Sequence, residues 1–290
     1  MFRFTAIAAI VALMPAQLMT WPDLTAKAKP AADATVEYGP DSMQRADVWL
    51  PASKGPFPVV LMVHGGCWQT SIADRSLMNW IADDLRKDGI AVWNIDYRGV
   101  DRSGGGYPGT FADAAKATDQ LAANARKYNL DTGRVVAVGH SAGGHLALWL
   151  AGRQKLPKDS PLRTPHPLKI AHVISLGGLP DLEATVASPD NGCGTDVVTR
   201  LVGTGRPDPY ADTSVPRLLP LGVPQDLVNG REDRIIPYRM ATDYVATAGA
   251  AGDSVALHTV PATGHVELVA PDSAAWAETK RLIKQAFVAR

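Results

Sequence analysis

The stretch that decides the fold is Arg134-Val-Val-Ala-Val-Gly139-His140-Ser141-Ala142-Gly143-Gly-His145-Leu-Ala-Leu-Trp-Leu-Ala151. Its first part is apolar and β-branched, the pattern of a strand buried on both faces. Its last part is rich in Ala and Leu, the pattern of a helix. Between them the G-x-S-x-G run at residues 139–143 must turn the chain from strand to helix. A turn of that kind holds its serine in strained backbone angles and exposes the hydroxyl at the strand's end. Side chains at Gly139 and Gly143 would collide with the neighbouring strand and helix. Ser141 is therefore the candidate nucleophile. The free amide of Ala142, at the helix start, is a candidate donor to negative charge developing beside it.

Outward from this turn the chain alternates. Residues 44–50 are strand-like. Residues 59–63 (VVLMV) form a continuous apolar run, and residues 90–95, 170–176, 225–228 and 255–260 also read as strands. Residues 75–87, 110–128, 237–250 and 273–289 carry helical spacing of apolar residues. Strands alternating with helices of this length predict right-handed crossovers, hence an α/β fold: a mostly parallel central sheet with helices on both faces. Two stretches break the alternation. Residues 99–109 (GVDRSGGGYPG) are a glycine-rich loop. Residues 180–224 hold several prolines and a short helical pattern at 196–201, and are too long for a plain connection, so a cap or lid insertion is expected there.

The chain has 290 residues, 46% hydrophobic and 20% charged, with a formal net charge of zero. That suits one α/β domain and excludes a disordered chain. Neutral charge gives no reason to expect nucleic acid as a partner. The seven histidines and two cysteines make no metal-ligand spacing, and neither a metal nor a cofactor is expected. At the N-terminus one cation, Arg3, precedes a short apolar run at residues 5–14, too short to span a bilayer and of the kind that leads secretion. Residues 1–20 are expected to be a signal peptide, with an unclear cleavage site and a cytoplasmic protein as the alternative. Residues 21–34, rich in Ala, Pro and Lys, read as a linker, and residues 35–290 as the domain. No later run is apolar and long enough for a membrane span.

After the buried run 59–63 comes His64-Gly65-Gly66-Cys67-Trp68. With the G-H-S-A-G turn, this loop makes residues 40–290 resemble the esterase and lipase branch of the α/β-hydrolase superfamily. The likeness is nearest to groups with an H-G-G-x-W loop, such as kynurenine formamidases and bacterial feruloyl-esterase-like proteins. The chain departs from the hormone-sensitive-lipase pattern at Cys67, where a third glycine would stand. The resemblance implies an oxyanion hole in which amides of Gly66 or Cys67 converge with that of Ala142. It also implies a triad in the order Ser, acid, His. The acid slot after strand 225–228 falls on Asp233, in Gly-Arg-Glu-Asp-Arg-Ile-Ile-Pro, with Glu232 and Asp226 as competitors. The base slot falls on His265, in the loop after strand 255–260. His64 is expected to be structural. His140, His145, His166, His172 and His258 lie in the turn, a helix, a loop or strands.

The activity implied is hydrolysis of a carboxylic ester through an acyl-enzyme, on a small-molecule substrate. An amidase, either an arylformamidase or a small-peptide hydrolase, is the alternative, and an inactive hydrolase-fold binding module is the alternative from another class. Trp68 and Tyr107 are candidate substrate-binding residues. Apolar residues of the insertion (Leu182, Val197, Leu201, Leu218, Leu219) are candidates to floor the pocket. In an exported protein Cys67 and Cys193 could form a disulfide between the oxyanion loop and the insertion.

Overall fold

Val59, Leu61 and Val63 belong to one apolar core, Val60 and Met62 to another. Successive side chains of a strand point to opposite faces, so this split means a strand sandwiched between two layers. The computed structural model describes residues 17–288. It holds one eight-stranded sheet of order β1-β2-β4-β3-β5-β6-β7-β8. The strands are β1 (Ala34–Glu37), β2 (Arg45–Trp49), β3 (Phe57–Val63), β4 (Ala91–Ile95), β5 (Leu130–His140), β6 (His172–Leu176), β7 (Gln225–Gly230) and β8 (Val255–Val260). β2 runs antiparallel to both β1 and β4, and every other pairing is parallel. The predicted α/β class with a mostly parallel sheet is what forms. The order is that of the α/β-hydrolase fold.

Two layers of helix cover the sheet. Phe111 and Leu121 of α3 (Gly109–Tyr128), Leu146 and Trp149 of α4 (Ala142–Ala151) and Tyr244 of α7 (Arg239–Ala250) join the core with Leu61. Ile81 and Leu85 of α2 (Asn79–Lys87) and Trp276 and Ile283 of α8 (Ala274–Val288) join the one with Met62. Each such side chain, fully removed from water, contributes about 1.5–3 kcal/mol before entropy is counted. In the parallel part of the sheet all strands point one way, so the loops after β3, β5, β6, β7 and β8 gather at one edge.

The segment before the sheet differs from expectation. Residues 21–34 do not hang free as a linker. They include α1 (Trp21–Thr25), whose Leu24 is fully buried. Beyond it the carbonyls of Ala28 and Pro30 accept from Trp80 Nε1 and Asn79 Nδ2, and Lys27 pairs with Asp272. Composition hid this because alanine and proline carry no period, while partners distant in sequence satisfy the backbone. The leader expected at residues 1–20 lies for its first sixteen residues outside the described part.

The insertion at residues 180–224 holds α5 (Leu182–Val186), α6 (Thr195–Val202) and a 3-10 turn, Val215–Leu218. The five apolar side chains expected to floor a pocket are taken up by packing instead. Leu182, Val197, Leu201 and Leu218 are buried in the main core, and Leu219 packs against it. Polar contacts hold it down as well: Trp149 Nε1 and His145 Nε2 donate to the carbonyls of Asp212 and Thr213, each at 2.8 Å. No helix among the described residues is long and apolar enough to cross a membrane.

Candidate active site

Ser141 stands between β5 and α4 with φ 54° and ψ −123°. A non-glycine residue holds such angles only where its surroundings impose them. Here its amide donates to the Leu176 carbonyl of β6 at 2.8 Å, and its own carbonyl accepts the amide of Gly144 at 2.8 Å. A β-carbon on Gly139 would lie 2.0 Å from the Gly143 carbonyl oxygen, and one on Gly143 2.2 Å from that of Val63. No side chain fits at either place. Ser141 is 2% exposed.

His265 follows β8. Its Nδ1–H donates to Asp233 Oδ2 at 2.7 Å. Asp233 lies in the turn after β7, and its other oxygen accepts the amides of Ile235 and Ile236 at 2.8 and 3.0 Å. Both carboxylate oxygens are thus occupied, one fixing the turn and one fixing the imidazole. The competitors are engaged elsewhere. Glu232 accepts the amide of Thr263 at 3.5 Å. Asp226 sits between His172 and His258, at 2.6 and 2.7 Å. Burial pushes the Asp226 carboxyl up, but the hydrogen bonds and charges of the two histidines outweigh it and hold it below the usual range. Gly177, at φ +55°, backs the pair: a β-carbon there would lie 3.3 Å from Asp233 Oδ2 and 3.4 Å from His265 Nδ1.

His140 plays a part that its sequence position did not reveal. Its Nε2–H donates to the His265 carbonyl at 3.1 Å, and the two rings lie 4.4 Å apart. Burial, and then the neighbouring His265, push its pKa well below the ordinary value, so it stays neutral. The residue beside Ser141 therefore ties the serine's turn to the loop of His265. The one sequence signal was its adjacency to Ser141. His145, pushed down to about 4 by burial, holds the insertion instead.

The loop after β3 closes the site. A β-carbon on Gly65 would lie 3.0 Å from that of Ser141. Gly66, Cys67 and Trp68 all have positive φ, of 101°, 51° and 53°. Two of the three are not glycine, at a cost of about 1–3 kcal/mol each, so the loop needs anchors. His64 is one. It bonds Asp96 Oδ1 at 2.8 Å and stacks on Tyr97 at 4.4 Å. Cys67 is another, through its disulfide to Cys193. Trp68 is the third. It is fully buried, edge-on to His145, and so it lines no substrate pocket, contrary to expectation. The amides of Gly66, Cys67 and Ala142 donate to no other group among the described residues.

Tyr107 is also displaced from its expected role. Its hydroxyl donates to Asp212 at 2.9 Å and its ring lies 3.5 Å under the Arg206 guanidinium. It borders a cleft with Ser160 and Arg206 that none of Ser141, Asp233 and His265 lines. The glycine-rich sequence around it signalled a loop but not which way the ring turns. Among the described residues no group of three or more His, Cys, Asp or Glu side chains is placed to hold a metal ion.

A family model, BD-FAE, matches residues 46–247, a span holding Ser141, Asp233 and the loop of Gly66. The chain belongs to the BD-FAE family. This sets it within the esterase branch of the α/β-hydrolases, as the resemblance implied. Two curated relatives share the likeness over part of their length. One is the versiconal hemiacetal acetate esterase of Dothistroma septosporum, 34% identical over 116 residues, 39% of this chain and 33% of that one. Another is the isoprenylcysteine alpha-carbonyl methylesterase of Arabidopsis thaliana, 29% identical over 114 residues, 39% of this chain and 26% of that one. The BD-FAE chain thus matches about a third or less of these relatives' length. Among solved structures, a truncated carbohydrate esterase from gut microbiota superposes with a TM-score of 0.75 at 19% identity, over 90% of this chain and 99% of that one. Esterase 2 of Thermogutta terrifontis gives 0.70 at 20% identity, over 90% and 92%. At these identities the likeness is one of fold.

Proposed function

We propose that this protein is a serine hydrolase that cleaves carboxylic esters through an acyl-enzyme. One observation carries the reading. The buried His265–Asp233 pair, joined at 2.7 Å, is tied through His140 to the turn that bears Ser141. In this reading Ser141 Oγ attacks the ester carbonyl carbon and its proton passes to His265 Nε2. Asp233 keeps Nδ1 protonated and steadies the imidazolium. The carbonyl oxygen gains negative charge, which the unpartnered amides of Gly66, Cys67 and Ala142 receive; each such donor is worth about 3 kcal/mol in comparable sites. The C–O bond of the ester breaks, and the alcohol leaves with the proton from His265. Water then repeats the sequence and frees the acid. The family and the esterase names of the relatives support an ester as substrate.

The test is direct. Wild-type protein should turn over a p-nitrophenyl ester and be labelled by a fluorophosphonate, and Ser141→Ala should lose both, with activity down by about 10⁶-fold. More than about a tenth of activity left in Ser141→Ala would sink the mechanism. Assays of N-formylkynurenine and an aminoacyl anilide in parallel would replace ester with amide if either is the faster substrate.

We propose further that the protein works in an oxidising compartment, outside the cytoplasm. The Cys67–Cys193 disulfide favours this, since such bonds persist there and are rare in cytosol. Fractionation of the source cells, with the released N-terminus read by mass spectrometry, checks it; full-length protein in the cytoplasm would refute it.

A further inference from the structure

Residues 17–22 cross the loop that carries His265. The amide of Met19 donates to Glu267 Oε1 at 2.5 Å, and Oε2 of the same carboxylate accepts the amide of Gly264 at 3.0 Å. Glu267, 6% exposed, thus clamps the strap and the histidine loop together. Two residues on, the ring of Trp21 meets His265 edge-on at 6.4 Å and 84°, and His140 at 6.1 Å and 77°. Beside this contact lies a cleft of about 690 Å³. The strap forms one wall, Glu232, Arg234 and Ile235 form another, and His265 borders it. Neither the insertion at 180–224 nor Trp68 nor Tyr107 lines it.

We propose that this cleft receives the alcohol portion of the ester, and that Trp21 is a specificity-determining residue favouring flat aromatic alcohols. The inference rests on the Ser141–His265 esterase reading and on a leader cut before Gln17, so that residues 17–22 stay on the domain. In that chemistry the acyl group stays on Ser141 while the departing alcohol oxygen takes its proton from His265. The alcohol must therefore leave past the histidine, and His265 borders this cleft, whose lining does not include Ser141. Apolar side chains of Leu18, Met19, Trp21, Ile235 and Val266 line that space, and among them Trp21 is the aromatic one, its ring against the histidine. Glu232 and Arg234 are exposed, and water screens their charge, so they contribute little to holding a neutral group. An aromatic ring gains edge or offset contact with Trp21 beyond its buried area. A methyl or ethyl group has no ring to make that contact.

The experiment compares the purified wild type with Trp21→Ala, Trp21→Phe and Met19→Pro, the last removing the amide that Glu267 accepts. Substrates are phenyl acetate, 2-naphthyl acetate, ethyl acetate and phenyl butyrate, and each protein is also treated with a fluorophosphonate. Trp21→Ala should lower the aryl-to-alkyl ratio of kcat/KM about tenfold, mostly through KM, the size expected for one lost aromatic contact. Its acetate-to-butyrate ratio on phenyl esters should hold, because the acyl side is untouched. Trp21→Phe should keep most of the aryl preference, and Met19→Pro should lose part of it. An unchanged aryl-to-alkyl ratio in Trp21→Ala protein that still labels would overturn the proposal. Equal losses on every ester would also overturn it, leaving Trp21 as packing for His265. A wild type that resists labelling would instead overturn the serine-esterase reading, and this proposal with it.

Discussion

Replacing both Cys67 and Cys193 by Ala separates two roles that the disulfide combines. The bond joins residues 126 apart in sequence. In the chain-entropy account, closing a loop of that length removes about 5 kcal/mol of freedom from the unfolded chain. Part of this returns on removal, because Cys67 is held at φ 51° and a loop released from that angle recovers about 1–2 kcal/mol. The net loss of stability should be about 3–4 kcal/mol. Denaturant titration reads it as a lower midpoint with a changed slope, since the unfolded state also expands. The second role is local. Cys67 supplies one of the amides assigned to the oxyanion, so freeing it should cut kcat on a p-nitrophenyl ester about a hundredfold in the folded protein. Labelling of Ser141 should slow but still occur, because the Asp233–His265 pair lies on other loops. A double variant with wild-type kcat would refute the link between the bond and the oxyanion loop. A variant with unchanged stability would refute the entropy argument.

Three more expectations concern the same edge of the sheet. Asp233→Asn should lower kcat by about 10⁴-fold, with far smaller losses in Glu232→Gln and Asp226→Asn, because only the partner of Nδ1 sets the tautomer; a larger loss at Glu232 would move the acid. Gly177→Ala places a methyl 2.7 Å from Leu268 Cδ1 and near both carboxylate and ring; kcat should drop about a hundredfold through misplacement of the pair, and unaltered kinetics would show that the backing is slack. Asp226, held below its ordinary 3.8, contributes stability that is present above pH 3.8 and lost as pH falls through its lower folded value. The stability gap between wild type and Asp226→Asn, read by denaturation at pH 5 and at pH 3, should therefore shrink at the lower pH. A gap that widens there would reverse the sign of this account.

Short-range physics made much of this legible. The strand–glycine–serine–glycine–helix run at 134–151 announces its own turn, and the collision that demands Gly139 lies inside it, at the Gly143 carbonyl, whereas the one that demands Gly143 is with Val63 of β3 and needs the assembled sheet. Buried strands announce themselves by continuous β-branched runs, and helices by their spacing, so the α/β class follows without any coordinates. The slots of Asp233 and His265 came from chain order within the resembled family, and both lie just past strands. Tertiary structure alone decided what depends on distance between residues far apart in the chain. Cys67 and Cys193 meet because β3 and the insertion are packed at one edge. Trp68 turns into the core because positive φ and a neighbouring His145 take it there. Tyr107 faces Asp212. The insertion's leucines complete the main core, and residues 17–22 reach His265 through a glutamate far down the sequence. Local sterics act within a few residues, whereas burial and electrostatic contact are set by the assembled sheet, and no window of sequence contains that information.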